Sequence, residues 1–311
     1  MPQHTILSHD SALVRELVSV LTRNNQKIRR VSSVPFPITG SENRIADPLD
    51  YEALVTALAG SDYVYLLADL SCSPRLWREQ LPSVMRNTIN ACKECRAKLI
   101  LLDNAHMYGH VTGPVTEETA YQPIGADARL GAQVALMLQR EMTEGRVGAV
   151  IARTADLYGP WVTSAYTAAV EVFGPLSKGK APWTWQRPDV PRSLCFAPDA
   201  ARSLYILATE KEAEGRIWHL PAAYPLLSLR EVAAFAAICM GSSHRLKQRP
   251  LWLYAISRQF DASLSERHER TQLENYPFHF DSSKLAGVFK ITATPYFEGI
   301  KETALWFLAQ K

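Results

Sequence analysis

Two pairs of residues in this 311-residue chain have spacings that can do chemistry. Cys92-Lys93-Glu94-Cys95 has the two-residue gap of a redox dithiol, and His106 and His110 stand four apart, as two metal ligands can. The surroundings support neither. A reactive dithiol belongs at a helix start beside a strand, and this pair falls inside a helical pattern, so both read as ordinary helix positions. The histidines flank Gly109 in a loop-like stretch with no third ligand nearby in sequence, so no metal is expected. Cys72, Cys195 and Cys239 complete a set of five that forms no disulfide framework in a chain this long. The compact basic pair Arg29-Arg30 reads as a solvated strand edge.

An absence is equally informative: the first glycine is Gly40. Dinucleotide-binding folds place glycines between their first strand and first helix, so that the backbone turns tightly and meets the pyrophosphate at the helix N-terminus. Here Thr5 to Arg15 passes from apolar strand-like residues into a helix without one. Such a turn implies altered cofactor binding, or a fold kept after its ligand was lost.

The elements that must position these residues alternate in the first half. Thr5 to Leu7 reads as a strand, Ser11 to Thr22 as an amphipathic helix, and Lys27 to Val31 as a second strand. Pro35, Pro37 and Gly40 mark a loop, and Asp50 to Ala59 is helical, stopping at Gly60. Tyr63 to Ala68 and Lys98 to Leu102 are apolar runs of the kind buried on both faces. Helices are expected over Pro82 to Cys95 and Gly125 to Glu144, and a strand over Val147 to Ala152. This alternation predicts an α/β, Rossmann-like doubly wound parallel sheet. In the second half Gly174 to Pro191 reads as irregular, with helices over Asp199 to Thr209, Leu229 to Met240 and Thr294 to Ala309. Ser228 and Glu231 have capping-box spacing. The expected division is a dinucleotide-binding-type domain over 1–165 and a smaller, mostly helical substrate-type domain over 166–311. Residues from about 192 to 210 return to the sheet.

Composition narrows the function classes. A net charge of +3 with no basic stripe argues against nucleic acid. No apolar run is long enough for a membrane span, and no signal-peptide layout opens the chain, so a cytoplasmic, soluble protein is expected.

Several segments, in order, resemble the extended and atypical short-chain dehydrogenases that include NAD(P)-dependent sugar epimerases and dehydratases. Met107-Tyr108-Gly109 with Gly113 to Glu118 resembles that family's "VYG…P.tE", and Ala152 to Pro160 resembles its "R…YGP". Arg192 through Arg202 is similar to "R.f..v.DvAra", and Phe280 to Lys284 with Thr294 to Ile300 to "DssK…TPleeGi". The resemblance implies a Tyr acid/base, a Lys four residues later that lowers its pKa, and a Ser or Thr holding the reacting oxygen, with hydride moving to or from the cofactor.

Those slots are filled otherwise. The Ser/Thr slot falls on Asn104, the Tyr slot on Ile124 or Gly125, and the Lys slot on Ala128 or Arg129; no Tyr in the chain has a Lys four residues later. Tyr121, Asp127 and His106 are the candidate stand-ins, set against plainer roles in packing, at an exposed helix start, and in bonding a backbone carbonyl. For the cofactor, the resemblance points to Asp47 near the adenine, Leu67, Ala68 and Asp69 along the adenosine and pyrophosphate, and Thr154 and Ala155 beside the nicotinamide. Ser33 with Arg29-Arg30 tilts the choice between NADP and NAD toward NADP, with weakened or absent binding. The plainer alternative has Asp47 capping a helix and Leu67-Ala68 ending a strand. For substrate, it points to Tyr108, Asp156 and Arg192. Arg192 suits an anion, whereas Asp156 would repel a diphosphate. Trp161, Trp183 and Trp185 flank the expected interdomain cleft, where a small molecule would bind; they stack on its ring or pack an irregular lid. A homodimer is implied by the resemblance alone. Two readings remain: a fold kept as a binding, regulatory or scaffold module, or an NAD(P)-dependent oxidoreductase or epimerase/dehydratase using other residues.

Overall fold

The computed structural model describes residues 1–35, 38–67, 74–163, 168–250, 252 and 273–310. The chain opens with β1 (Gln3–Leu7), α1 (Ala12–Arg23), β2 (Lys27–Ser32), β3 (Glu42–Ile45), α2 (Tyr51–Leu58) and β4 (Tyr63–Leu67). It continues through α3 (Pro74–Cys95), β5 (Lys98–Asn104), β6 (Pro114–Val115), α4 (Ala126–Thr143), β7 (Ala149–Thr154) and β8 (Asp156–Tyr158). Then come α5 (Ala168–Ser177), β9 (Trp183–Thr184), β10 (Pro191–Arg192), β11 (Leu194–Phe196), α6 (Ala197–Thr209) and β12 (Ile217–His219). The last elements are β13 (Leu227–Ser228), α7 (Leu229–Cys239), β14 (Lys247–Gln248), β15 (His279–Phe280), α8 (Ser283–Phe289) and α9 (Tyr296–Ala309).

Seven strands form one sheet in the order β12-β7-β5-β4-β1-β2-β3, every pairing parallel. The winding reverses between β1 and β4, the arrangement of a doubly wound α/β fold, whose ligands sit beyond the carboxyl ends of the strands. Helices cover both faces, which is why β4 and β5 read as unbroken apolar runs. One face packs Ile6, Leu17, Tyr65, Ile100 and Val150 with Leu204 of α6. The other packs Val31, Leu54, Leu66, Met85, Leu101 and Leu138 under α2, α3 and α4. A separate cluster of Phe173, Val232, Ala236, Ile300 and Phe307 joins α5, α7 and α9. The capping box at Ser228 and Glu231 is formed.

The structure corrects several local expectations. β3 lies just after the Pro- and Gly-marked loop; its residues Glu42, Asn43, Arg44 and Ile45 carry no apolar pattern, and its pairing to β2 defines it. α3 begins at Pro74, with Pro82 inside rather than at its start. Gly174 and Pro175 lie within α5 instead of an irregular stretch, where Val172, Phe173 and Leu176 are buried. Arg29 and Arg30 are no solvated edge: they are 7% and 2% exposed. Arg29 donates to Glu42 Oε2 at 2.9 Å and to the Ala59 carbonyl at 2.8 Å, tying β2 to β3 and to the end of α2. Arg30 lies on the strand's other side, where burial pushes its guanidinium pKa down. Among the described residues no helix is long and apolar enough to cross a membrane.

Candidate functional site

Polar side chains gather at the carboxyl ends of β5, β7 and β12. The register sets Asp103 beside Arg153 and Asn104 beside Thr154. After β5 the chain makes a single 3-10 turn, His106–Tyr108. Asn104 Oδ1 accepts the His106 backbone N–H at 2.9 Å, so the oxygen of the Ser/Thr-slot residue is spent on this turn. Gly109 closes the turn at φ 67°, where a Cβ would run into the Gln122 carbonyl.

Arg153 organises the buried polar network. Its side chain is fully buried and donates to Asp103 Oδ2 at 3.1 Å, Tyr108 Oη at 2.6 Å and Tyr121 Oη at 2.8 Å. Burial works against its charge, but Asp103 and the two tyrosines outweigh that and raise the guanidinium pKa. Tyr108 Oη also lies 2.7 Å from His219 Nε2, and His219 Nδ1 lies 2.8 Å from the Asp281 carbonyl. A carbonyl only accepts, so Nδ1 carries the His219 proton, Nε2 accepts, and Tyr108 donates. Burial pushes Tyr108 up to about 12 and His219 down to about 3. Both are therefore neutral near pH 7. Tyr108 was expected against substrate; it is instead fully buried with its hydroxyl bonded on two sides. Tyr121 Oη accepts from Gln139 at 2.5 Å as well as from Arg153.

A second group stands beside this network. His106 Nε2 is 3.7 Å from Asp156 Oδ1, and Arg192 Nη2 is 3.5 Å from Asp156 Oδ2. Arg192 Nη1 donates to the carbonyls of Leu273 and Tyr276 at 2.9 and 3.0 Å, which anchors that segment over the strand ends. His106, Asp156 and Arg192 thus come together, although sequence reasoning set His106 apart as a candidate acid/base and gave Asp156 and Arg192 to the substrate. Asp127 lies apart from them in sequence, in the first turn of α4, and α4 contains neither Tyr nor Lys.

The positions assigned to a cofactor are engaged internally. Asp47 is exposed and accepts the Leu49 N–H at 2.9 Å, while Asp50, three residues on, caps α2. The Leu67 carbonyl accepts from Ser8 Oγ at 3.2 Å. Thr154 Oγ1 donates to the Ala155 carbonyl at 2.8 Å, both residues being buried. Ala68 and Asp69 lie outside the described residues. In the β1–α1 turn, Ser11 Oγ accepts the Val14 N–H, and Asp10 binds Arg15 through both carboxylate oxygens. A turn whose helix end is capped by its own Ser11 hydroxyl, and whose Arg15 is held by Asp10, does not fit a pyrophosphate as the glycine turn does.

The tryptophans divide: Trp161 and Trp183 are exposed, while Trp185 is not. Trp185 is buried, and Trp183 lies under the Arg249 guanidinium, 3.5 Å from the ring centroid. Cys92 and Cys95 sit in the last turn of α3, and burial pushes the Cys92 thiol up, away from reactivity. Among the described residues no group of three His, Cys, Asp or Glu side chains could hold a metal. A hollow of about 540 Å³ opens at the amino ends of β4, β5 and β7, lined by Lys93, Lys98 and Arg146 among others. Lys98 donates to the carbonyls of Leu207, Ala208 and Glu210, and Lys93 and Arg146 both bind Glu141. Those cations answer helix ends and a carboxylate within the protein.

Sequence reasoning missed Arg153 as the organiser, and His219 and Asp10 altogether. A signal existed for Arg153: a charged residue closing an all-apolar strand must find partners when buried. None existed for His219, whose strand Ile217–His219 is too short to show a pattern.

This architecture is similar to that of solved epimerases and dehydratases. A putative epimerase from Burkholderia cenocepacia J2315 aligns with a TM-score of 0.81 and 18% identity, covering 99% of this chain and 98% of that one. UDP-glucuronic acid 4-epimerase from Bacillus cereus, solved with NAD, gives 0.80 and 14% over 98% of both chains. dTDP-glucose 4,6-dehydratase from Bacillus anthracis, also with NAD, gives 0.80 and 11% over 100% and 98%. At these identities the shared property is the fold. No protein-family model and no curated protein sequence matches the chain.

Proposed function

We propose that this chain is an epimerase/dehydratase-fold protein that binds a small polar molecule at the carboxyl ends of β5, β7 and β8 without Tyr/Lys hydride chemistry. Its role is then binding, regulation or scaffolding, in a two-domain chain divided near residue 165. One observation carries the reading. α4 offers no Tyr or Lys, while the two tyrosines at the strand ends, Tyr108 and Tyr121, are committed to Arg153. A general acid/base contributes about 10²–10⁴ in rate, so losing both partners leaves little ordinary activity. A ligand there would meet His106, Asp156 and Arg192, side chains already in contact through Asp156. The test is turnover: the protein is incubated with NAD or NADP and, in turn, UDP-glucuronic acid and dTDP-glucose, following nicotinamide absorbance and sugar products. No product above the protein-free control supports the reading; sustained product formation defeats it.

A second reading is an active NAD(P)-dependent oxidoreductase or epimerase/dehydratase with non-standard residues. Likeness over nearly the whole chain to enzymes solved with NAD favours it, as does the proximity of His106 to Asp156. In that case His106 is the proton carrier, and His106→Asn abolishes turnover of those sugar nucleotides. A homodimer through α3 and α4 would meet mostly polar faces, with Leu136 as the exposed apolar residue on α4; sedimentation distinguishes dimer from monomer.

A further inference from the structure

The turn between β1 and α1 carries its own anion. Asp10 precedes the N-cap Ser11 and holds Arg15 with two hydrogen bonds, Nε to Oδ1 at 3.1 Å and Nη2 to Oδ2 at 2.6 Å. The Arg15 guanidinium lies over the Trp161 ring, 4.7 Å from its centroid, and Trp161 packs against Trp306 of α9 at 5.1 Å. Trp161 does this at φ 64°, a backbone conformation that a bulky residue rarely adopts. Positive φ is not found at residues 8–11, so the turn is built with ordinary backbone and side chains where a glycine turn would leave open space. The amino end of α1 is capped by Ser11 Oγ, and the Arg15 guanidinium is matched to the Asp10 carboxylate, with Arg30 a further cation in electrostatic range; a second anion at this turn would meet Asp10 as a like charge.

We propose that Asp10 is a specificity-determining residue, an internal counterpart of a ligand diphosphate that excludes dinucleotides from this groove. The inference rests on the function proposed for the chain and sharpens it: exclusion comes from one carboxylate, and Arg15 becomes a phosphate-binding cation once that carboxylate is gone. Arg15 then keeps its place over Trp161 and meets the diphosphate instead of Asp10.

The experiment titrates wild type, Asp10→Asn, Asp10→Gly and Arg15→Gln with NADH and NADPH by fluorescence. Adenosine, which lacks phosphates, is titrated by calorimetry, and thermal melting shows that each variant is folded. Both Asp10 variants are expected to bind NADH and NADPH at least about tenfold more tightly than wild type. Arg15→Gln should gain nothing, and adenosine affinity should not vary across the four proteins. Two Asp10 variants make the test robust to one that misfolds. If the folded Asp10 variants bind NADH no better than wild type, the inference is overturned. It is overturned as well if adenosine gains equally, since that marks a general loosening. Should all four proteins ignore both cofactors, this inference fails while the absence of hydride chemistry stands. Should wild type bind at micromolar concentration and turn over, both fail.

Discussion

Replacing Tyr108 with phenylalanine removes one oxygen and leaves the ring in place. That oxygen accepts from Arg153 at 2.6 Å and donates to His219 Nε2 at 2.7 Å, in a side chain that is fully buried. The bond from the guanidinium is charge-assisted, worth about 1.5–3 kcal/mol, and the bond to neutral imidazole about 0.5–1.5 kcal/mol. Water cannot easily replace either partner at zero exposure, so His219 Nε2 loses its donor outright. Arg153 retains Asp103 and Tyr121, which limits the damage on its side. The sum is a loss of about 2–4 kcal/mol. Urea unfolding near neutral pH, with the slope checked against wild type, measures it. Tyr121→Phe supplies the comparison: that hydroxyl accepts from Arg153 and Gln139, and its ring is only partly buried, so a smaller loss of about 1–2 kcal/mol is expected. A Tyr108→Phe protein within about 0.5 kcal/mol of wild type would refute the assignment of Tyr108 to a structural network and return it to the ligand site.

The same geometry sets three further outcomes. His219 titrates near 3 in the fold and near 6.5 in the unfolded chain, so the unfolded state binds more protons between those values. Stability should hold above about pH 6.5 and fall as pH drops, by up to about 1.4 kcal/mol per unit for this group, measured as urea midpoints at several pH values. Glu16 is pushed up to about 7 by burial and by Glu302, the opposite sign: its contribution is present below 4.5 and lost as pH rises toward 7. Glu16→Gln should therefore be more stable than wild type at about pH 8, with the difference shrinking toward about pH 5. Gly299→Ala should destabilise by about 1–2 kcal/mol although alanine is the better helix former, because the new methyl runs into the Tyr158 ring and hydroxyl. The Tyr158 hydroxyl has no hydrogen-bond partner among the described residues, so adding Tyr158→Phe should recover part of that loss, read by thermal melting.

The sheet was legible because β4, β5 and β7 are buried on both faces, which forces unbroken apolar runs such as Tyr63–Leu67. β3 was hidden because its residues are mostly exposed and its strand exists by pairing with β2. Pro82 misled because proline so often opens a helix, whereas here it sits within a 22-residue one. At the site, the residue types were visible and their company was not. His106, Asp156 and Arg192 come from β5's following turn, β8 and β10, and only folding brings them within 4 Å. The lack of glycine before Gly40 pointed to an altered turn after β1, but not to the Asp10–Arg15 pair there, because a carboxylate in a turn usually faces water.

We propose that this chain keeps a dinucleotide-type fold without its hydride chemistry. Calorimetric titration of the wild-type protein with NADH and NADPH tests it most directly. The account predicts no saturable binding at micromolar concentration for either nucleotide. Stoichiometric micromolar binding of either one, with its nicotinamide oxidised on adding a keto-sugar substrate, would contradict it.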